Sequence, residues 1–303
     1  MINLRIACRA SSDAARAESA AWCLATVRRV QLGYFTHVAG SGSPRATYWD
    51  TIDLAVAAEE LGFASFWVAQ HHAGAFEGVL PSPLVLLAAV AQHTSTIRLG
   101  TAVITAALED PLRLAEDAAV ADELSGGRLQ LGLGAGSDAV AAQLFGRCHA
   151  SRHLDCRDAV DRLCGWLSGP ELVPAVPGLR HRLWWATGSV QGVDAAAECG
   201  AGLLSGRPDP DVVADLLRYR AQVVGEPRIA LSRIVRRGET PADLVVRWRA
   251  DPALAWGQEL IVQTQPAHSE PADPRKVMRM IVDDVQPELV GTASDIPVPE
   301  PAR

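Results

Sequence analysis

Residues 61–72, LGFASFWVAQHH, join a helix end, a short strand and a polar tip. The first two residues are typical of a helix terminus. The mostly apolar run Phe63–Ala69 predicts a buried strand, and Gln70, His71 and His72 follow it. In a barrel of parallel strands, residues just beyond a strand face the active site. This stretch therefore decides the fold, provided that the rest of the chain supplies the other strands.

Strand-like and helix-like segments alternate through the chain, with eight units of each kind. The predicted strands are Gln31–Val38, Phe63–Ala69, Ile97–Ile104, Arg128–Gly134, Arg182–Thr187, Ala201–Ser205, Arg228–Val235 and Glu259–Thr264. The predicted helices cover 47–61, 83–95, 111–124, 138–168, 190–199, 209–224, 241–250 and 274–287. Alternation of this kind predicts a parallel α/β sheet, here a somewhat shortened (β/α)8 TIM barrel. The main alternative is a doubly wound sheet, but the first strand lacks its glycine-rich dinucleotide turn.

Composition narrows the class of protein. The 303 residues carry a net charge of −7, which argues against a nucleic-acid partner. The sequence has no apolar run of about 18 residues, so it predicts no membrane span. We expect a cytoplasmic location. Lys276 is the single lysine, so Schiff-base chemistry is excluded at almost every position. We expect residues 1–30 to be a disordered or mis-started extension, 31–290 to form one barrel domain, and 291–303 to be a flexible tail.

Four segments resemble the bacterial luciferase-like flavin-dependent monooxygenases. They are Phe66–His72, Ile97–Val103, Pro111–Asp117 and Leu124–Leu129. The resemblance implies a TIM barrel that binds reduced FMN, or a deazaflavin coenzyme, at its C-terminal mouth. Two positions depart from the light-emitting branch. Gln70 replaces an acidic residue, and Ala135 replaces a phosphate-contacting arginine.

The resemblance also implies roles for single residues. His71 would be the catalytic acid or base, since imidazole exchanges protons near neutral pH. A structural histidine bonded to the backbone is the alternative. The bulge after the third strand would hold a cis peptide bond at Ala102–Val103 under the flavin ring, although the residue types alone also fit an ordinary strand end. The residues expected to contact the cofactor are Phe35, Ala69, Thr101, Ala102 and Val103, and Phe35 could instead be a core aromatic.

Three further segments could bind a ligand on residue chemistry alone. Gly136 and Ser137 end a glycine-rich loop whose backbone could approach a flat ligand, or which could be a plain turn. Gly188 and Ser189 precede a predicted helix, whose N–H groups could hold a phosphate, although Ser189 could be only an N-cap. Ser205 and Gly206 could complete that phosphate site.

The spacing of His149, His153 and Cys156 imitates a metal site on one helix face. Neighbouring arginines disfavour a dication, and they are Arg147, Arg152 and Arg157. We therefore expect a solvated helix face and no metal site.

The resemblance predicts a monooxygenase in which reduced FMN, supplied by a separate flavin reductase, reacts with O2. The resulting C4a-peroxyflavin would attack a small organic substrate. One alternative is hydride transfer by a deazaflavin, whose acidic tail would require arginines such as Arg207 and Arg233. A non-catalytic flavin-binding protein is the second alternative. Family members often pair through their early helices, so a homodimer is possible.

Overall fold

The computed structural model describes residues 30–40, 42–206, 211–264 and 273–289. The predicted N-terminal extension, apart from residue 30, and the predicted tail 291–303 lie outside these ranges. So does Arg207. Statements about the whole molecule below refer to the described ranges.

Eight parallel strands close into a barrel, which confirms the predicted fold. They are β1 (Gln31–Thr36), β2 (Ser65–Val68), β3 (Arg98–Thr101), β4 (Leu129–Gly134), β5 (Leu183–Ala186), β6 (Gly202–Ser205), β7 (Ile229–Ile234) and β8 (Glu259–Gln263). Each strand pairs with its sequence neighbours, β1 pairs with β8, and pairing of β3 with β4 completes the ring. A two-residue strand, Ile104–Thr105, continues β3 and also pairs with β4.

Helices surround the barrel. They are α1 (Pro44–Glu60), α2 (Pro83–Ala91), α3 (Pro111–Ser125), α4 (Ala139–Leu144), α5 (Arg152–Ser168), α6 (Val190–Glu198), α7 (Asp211–Gln222), α8 (Pro241–Arg249) and α9 (Pro274–Met280), with a π-helical turn Ile281–Val285 leading into α10 (Gln286–Leu289). Short 3-10 turns lie at Ala75–Glu77, Ala106–Leu108, His149–Ser151, Leu179–Arg182 and Pro252–Ala255.

Two predicted helices differ in extent from the observed ones. Helix 83–95 ends at Ala91, because the Glu59 carboxylate accepts hydrogen bonds from the backbone N–H groups of residues 95–97 and fixes them as a loop. The predicted helix 138–168 is two helices, α4 and α5. Gly146, in the left-handed region with φ 66°, separates them.

Two indole rings fill the barrel interior below the mouth. Trp67 and Trp184 meet edge to face with ring centroids 5.8 Å apart. Each buried N–H has an acceptor, as burial requires. Trp67 donates to Ser65 at 2.7 Å and to Glu259 at 3.1 Å, and Trp184 donates to Gln130 at 2.9 Å. The rings form a floor, so a ligand can enter only from the carboxyl ends of the strands.

Glycines on neighbouring strands make room for these rings. A Cβ atom added at Gly100 would lie 2.1 Å from the Trp67 ring, and one at Gly202 would lie 2.5 Å from the Trp184 ring. Because neither ring can move far in a closed barrel, a side chain at either position would overpack the interior.

Substituting Gly100→Ala should therefore lower the free energy of unfolding by about 1–3 kcal/mol, or prevent folding. Denaturant titration monitored by tryptophan fluorescence measures the change. The matched control is Gly165→Ala at an exposed position of α5, where an added Cβ meets nothing within 4 Å. There, alanine should be neutral or stabilise by about 0.5–1 kcal/mol. Equal stability of the two variants would contradict the packing argument.

Candidate active site

Two adjoining cavities open at the carboxyl ends of the strands. The smaller, of about 290 Å³, lies beside His71. The larger, of about 770 Å³, extends to the loop that carries Gly188 and Ser189. The residues that line both are Val103, Ala135, Gly136, Ser137 and Arg152. The shared wall indicates one continuous site with two ends.

The bulge after β3 forms the wall between the two ends. The Ala102–Val103 peptide bond is cis, as the resemblance implied. Val103 contacts the β4 backbone closely, since a Cβ atom at Gly134 would lie 2.8 Å from its Cγ2. Gly136 has φ 71° and lies against Thr105 in the same way. The glycines thus let the β4 loop and the bulge approach each other without intervening side chains.

His71 forms a pair with a second histidine at the smaller cavity. Its Nε2 lies 2.9 Å from Nδ1 of His37, which follows β1, and the two ring planes differ by 22°. The edge of the His37 ring contacts Phe35, with centroids 4.7 Å apart. Both imidazoles line the smaller cavity. A molecule bound there would meet a hydrogen-bonded imidazole pair rather than one isolated base.

The backbone holds this pair in place. Val38 has φ 52°, which is rare for a β-branched residue and costs about 1–3 kcal/mol. Its carbonyl accepts a hydrogen bond from Val79 N–H at 3.1 Å. Gly78 lies against the His71 ring, so a Cβ atom there would be 2.2 Å from Cδ2. The loops after β1 and β2 are therefore joined next to the two imidazoles.

Burial keeps both imidazoles neutral. Desolvation, followed by the neighbouring His71, lowers the pKa of His37 from 6.5 to about 4, although a hydrogen bond with Gln263 opposes the shift. Desolvation also lowers the pKa of His71, and His72 adds to that effect. At neutral pH the pair can therefore accept a proton.

Gln70 ties the loop after β2 to the bulge. Its amide N–H group donates to the Glu109 carboxylate at 2.9 Å, and its amide oxygen accepts from Thr105 N–H at 2.8 Å. A carboxylate at this position could not donate and would face a like charge on Glu109. Glutamine in place of the acidic residue expected from the resemblance thus has a local physical reason.

The far end of the larger cavity has the features of an anion site. Ser189 caps α6 by accepting a hydrogen bond from Gly192 N–H at 3.2 Å. Gly188, Ser189 and Gly206 line the cavity there, and so does Arg157 on α5, which also forms an ion pair with Glu198. Arg152 on α5 lies where the two cavities meet. A helix N-terminus and cationic side chains both favour bound phosphate.

The remaining predicted cofactor residues divide between the cavity wall and the layer behind it. Ala69 and Ala102 line the smaller cavity. Phe35 belongs to the barrel interior, and Ser205 is 3% exposed and lies behind the larger cavity. Thr101 also lies behind the wall, where its hydroxyl bonds to the Gly132 backbone at 2.8 Å.

One expectation holds in part and another is wrong. His153 and Arg157 on α5 are exposed, as predicted for a solvated face, but they also line the larger cavity, and Cys156 is only 1% exposed. Arg233 was expected at the mouth, but it is 2% exposed and forms an ion pair with Asp251 at 2.6 Å. Side chains alternate along β7, and the Arg233 side chain is on the face that points toward the surrounding helices.

Sequence reasoning missed His37 and Gln263. Neither belongs to a recognisable motif. The signal that could have found them is alternation along a strand, because His37 follows Phe35 by two residues and so faces the same side. Gln263, on β8, is paired in register with Phe35 of β1.

A closed β/α barrel with joined cavities at its mouth defines a small-molecule enzyme barrel. The family model described as luciferase-like monooxygenase matches residues 29–294. The chain belongs to that family.

Among curated relatives, limonene 1,2-monooxygenase from Rhodococcus erythropolis is 36% identical over 46% of this chain and 37% of its own length. The oxygenase component of the flavin-dependent trigonelline monooxygenase from Acinetobacter baylyi is 27% identical over 51% of this chain and 39% of its own length. The chain thus matches less than half of the length of each of these relatives.

Solved structures share the fold. Monooxygenase RslO1 from Streptomyces bottropensis has a TM-score of 0.76 at 18% identity, over 86% of this chain and 99% of its own. The oxygenating constituent of 3,6-diketocamphane monooxygenase from Pseudomonas putida, in complex with FMN, scores 0.65 at 17% identity, over 86% and 98%. The coenzyme F420-dependent tetrahydromethanopterin reductase from Methanopyrus kandleri scores 0.66 at 15% identity, over 86% and 99%.

Within the described ranges, no helix is long and apolar enough to cross a membrane. In the same part of the chain, no group of three or more His, Cys, Asp or Glu side chains is arranged to hold a metal ion.

Acidification should cost stability through His37. Its pKa is about 4 in the folded chain and near 6.5 when unfolded, so between these values the unfolded chain binds a proton that the folded chain does not. The contribution of neutral His37 to the free energy of unfolding is complete above about pH 6.5 and is lost as the pH falls through about 4. The loss should reach about 3 kcal/mol once the pH is below about 4. Denaturant titrations across this interval measure it.

His37→Phe is the matched variant for this measurement, because it removes the titrating group and retains a ring against Phe35. It should show a smaller fall in unfolding free energy over the same pH interval. A residual slope should remain, because the pKa of His71 is also lowered. A slope identical to that of the wild type would contradict the assignment to His37.

Proposed function

We propose that this chain is the oxygenase of a flavin-dependent monooxygenase that uses reduced FMN and O2 on a small organic substrate. The observation that carries the proposal is the pair of joined cavities around the cis bulge. One end holds the His37–His71 pair, the other holds the N-terminus of α6 with Arg157, and Arg152 lies where the two ends meet.

The residues present fit a flavin. The larger cavity has about 770 Å³ of space, within the ordinary range for a cofactor site. Glycine backbone at Gly134 and Gly136 lets a flat ring approach the bulge closely. Nothing lies within 4 Å of a Cβ atom built at Gly206, so this edge is open for a phosphate group. Arg152 supplies a positive charge that Ala135 does not, and Arg157 supplies a second one that it shares with Glu198.

Bound reduced flavin would supply the electrons that activate O2, chemistry that belongs to the cofactor. The chain would position the substrate, exclude water and move a proton. The walls of the smaller cavity suit the first two tasks, because most of their non-polar side chains are small. Those non-polar side chains are Ala69, Ala75, Ala102, Val103, Ala107, Leu108, Ala135, Ala141 and Ala142. His71 would take up and return a proton at a ring nitrogen.

The smaller cavity also bears on the substrate and on the non-catalytic alternative. Its volume of about 290 Å³ and its alanine-rich wall suit a compact molecule of low polarity. A protein that only bound flavin would not need a second cavity beside a half-buried imidazole pair. This arrangement favours turnover.

A separate reductase would supply the reduced flavin. The trigonelline relative is named as an oxygenase component, which supports such a partner here. Pairing of two copies through the early helices remains a prediction.

Deazaflavin-dependent hydride transfer remains the second candidate, because F420-dependent structures share the fold. Arg233 does not support it, since the buried ion pair with Asp251 removes that side chain from the mouth. Titrations with reduced FMN, oxidised FMN and the deazaflavin separate the candidates. Tight binding of deazaflavin alone would overturn the proposal.

Ser189→Asp tests the phosphate end. Aspartate caps a helix as well as serine does, so stability should be retained, but its charge opposes a phosphate. The Kd for FMN should rise at least about tenfold, a loss of about 1.4 kcal/mol, while the Kd for riboflavin changes little.

Ser43→Asp is the matched control, because Ser43 caps α1 in the same manner and does not line either cavity. FMN binding should be unchanged in that variant. An equal effect of Ser189→Asp on FMN and riboflavin would place the phosphate elsewhere.

His71→Asn tests the proton-transfer role. Turnover of reduced FMN and O2 into oxygenated product should fall about 100-fold or more, while the Kd for FMN stays within about threefold. Incorporation of labelled oxygen into product measures turnover. His93→Asn is the control, because His93 contacts Trp49 on the helical surface instead of the cavities. Unchanged turnover in His71→Asn would remove the role.

A further inference from the structure

His71 is one of two imidazoles joined by a hydrogen bond, and which nitrogen carries the hydrogen decides what His71 can do. In a neutral imidazole one nitrogen donates and the other accepts. The bond joins Nε2 of His71 to Nδ1 of His37 at 2.9 Å. One of these two nitrogens must therefore carry a hydrogen while the other does not.

Gln263 supplies the constraint that chooses between the two arrangements. It lies beside Phe35 in the β1–β8 register and bonds to the His37 side chain. Because Nδ1 of His37 is engaged with His71, Nε2 is the ring atom that remains for Gln263. The hydrogen bond with Gln263 raises the pKa of His37, as an accepting oxygen does and a donating N–H does not. The amide oxygen of Gln263 therefore accepts from Nε2–H, which leaves Nδ1 of His37 as an acceptor. His71 must then donate.

We propose that His37, backed by Gln263, is a positioning residue that holds His71 as the Nε2–H tautomer, with Nδ1 as its basic nitrogen. The tautomer is a property of the chain alone. Its consequence for turnover rests on the proposed function, since proton uptake at Nδ1 would make an imidazolium whose Nε2–H bond to His37 is strengthened by the charge.

The surroundings of the pair are built to hold it. Phe35 contacts the His37 ring edge, and Gly78 lies against the His71 ring. Val38, next to His37, keeps a left-handed conformation while 1% exposed. Unfavourable backbone of this kind persists only where surrounding contacts fix it. Besides His37, the charged and titratable neighbours that act on His71 are His72 and Asp138.

Nitrogen-15 NMR of the ligand-free chain reads the tautomer directly. Two-bond spectra of the histidine rings distinguish a protonated from an unprotonated nitrogen, and comparison with His71→Asn assigns the His71 signals. We expect the pattern of a protonated Nε2 and an unprotonated Nδ1. A protonated Nδ1 on neutral His71 would overturn the proposal.

Two variants of His37 separate positioning from a general structural role. His37→Leu removes the acceptor, so the His71 signals should move toward a mixture of tautomers. His37→Asn places an amide oxygen near the former Nδ1 and should keep the wild-type tautomer. His93→Leu, on the surface against Trp49, is the control and should change nothing at His71. A wild-type tautomer in folded His37→Leu would also overturn the proposal.

Kinetics test the link to function. In His37→Leu, kcat should fall at least about tenfold with little change in the Kd for FMN, and His37→Asn should recover part of the loss. If the NMR pattern is as expected but the wild type does not turn over reduced FMN, the proposed function fails and the positioning role stands. If kcat in His37→Leu equals that of the wild type, the positioning role in catalysis is wrong.

Discussion

The barrel depends on two buried indoles whose N–H groups must be satisfied. Trp67 and Trp184 occupy the space inside eight strands, and each needs an acceptor in a place that water does not reach. Glu259 serves Trp67, and Arg98 balances the buried carboxylate with an ion pair at 2.9 Å. The strand positions that face these rings, Gly100 and Gly202, are glycines because the indoles leave no space for a Cβ atom. The floor of the site is thus set by packing and hydrogen bonding together.

The mouth above this floor is assembled from loops that are joined to one another. The loop after β1 meets the loop after β2 through backbone hydrogen bonds and through the histidine pair. Gln70 connects the second loop to the cis bulge, and the bulge lies against the β4 loop. Each loop is therefore held by its neighbour as well as by its own strand. A site built in this way presents its polar groups in a fixed order around a largely apolar cavity.

Much of the fold could be predicted from the sequence because strands and helices differ in hydrophobic period. The candidate site could be predicted less completely from the sequence. The segment Phe66–His72 carries a recognisable pattern, so His71 could be found. His37 stands alone in the sequence, and only barrel closure brings it to His71. Helix α2 ends at a place fixed by Glu59, which lies on another helix. The charged face of α5 is exposed as predicted, but the sequence did not reveal that it borders the cavity, because arginines line a water-filled cavity as readily as they line an outer surface.

Gln70 gives the mouth a link that does not titrate. The bond between its amide oxygen and Thr105 N–H joins two groups that keep the same charge from acid to alkaline pH. The histidine pair nearby changes its charge as protons arrive. The bulge that separates the two cavities is therefore anchored independently of protonation, while the imidazoles respond to it. Protonation of the histidines at one wall of the site can therefore occur without shifting the bulge that forms the other wall.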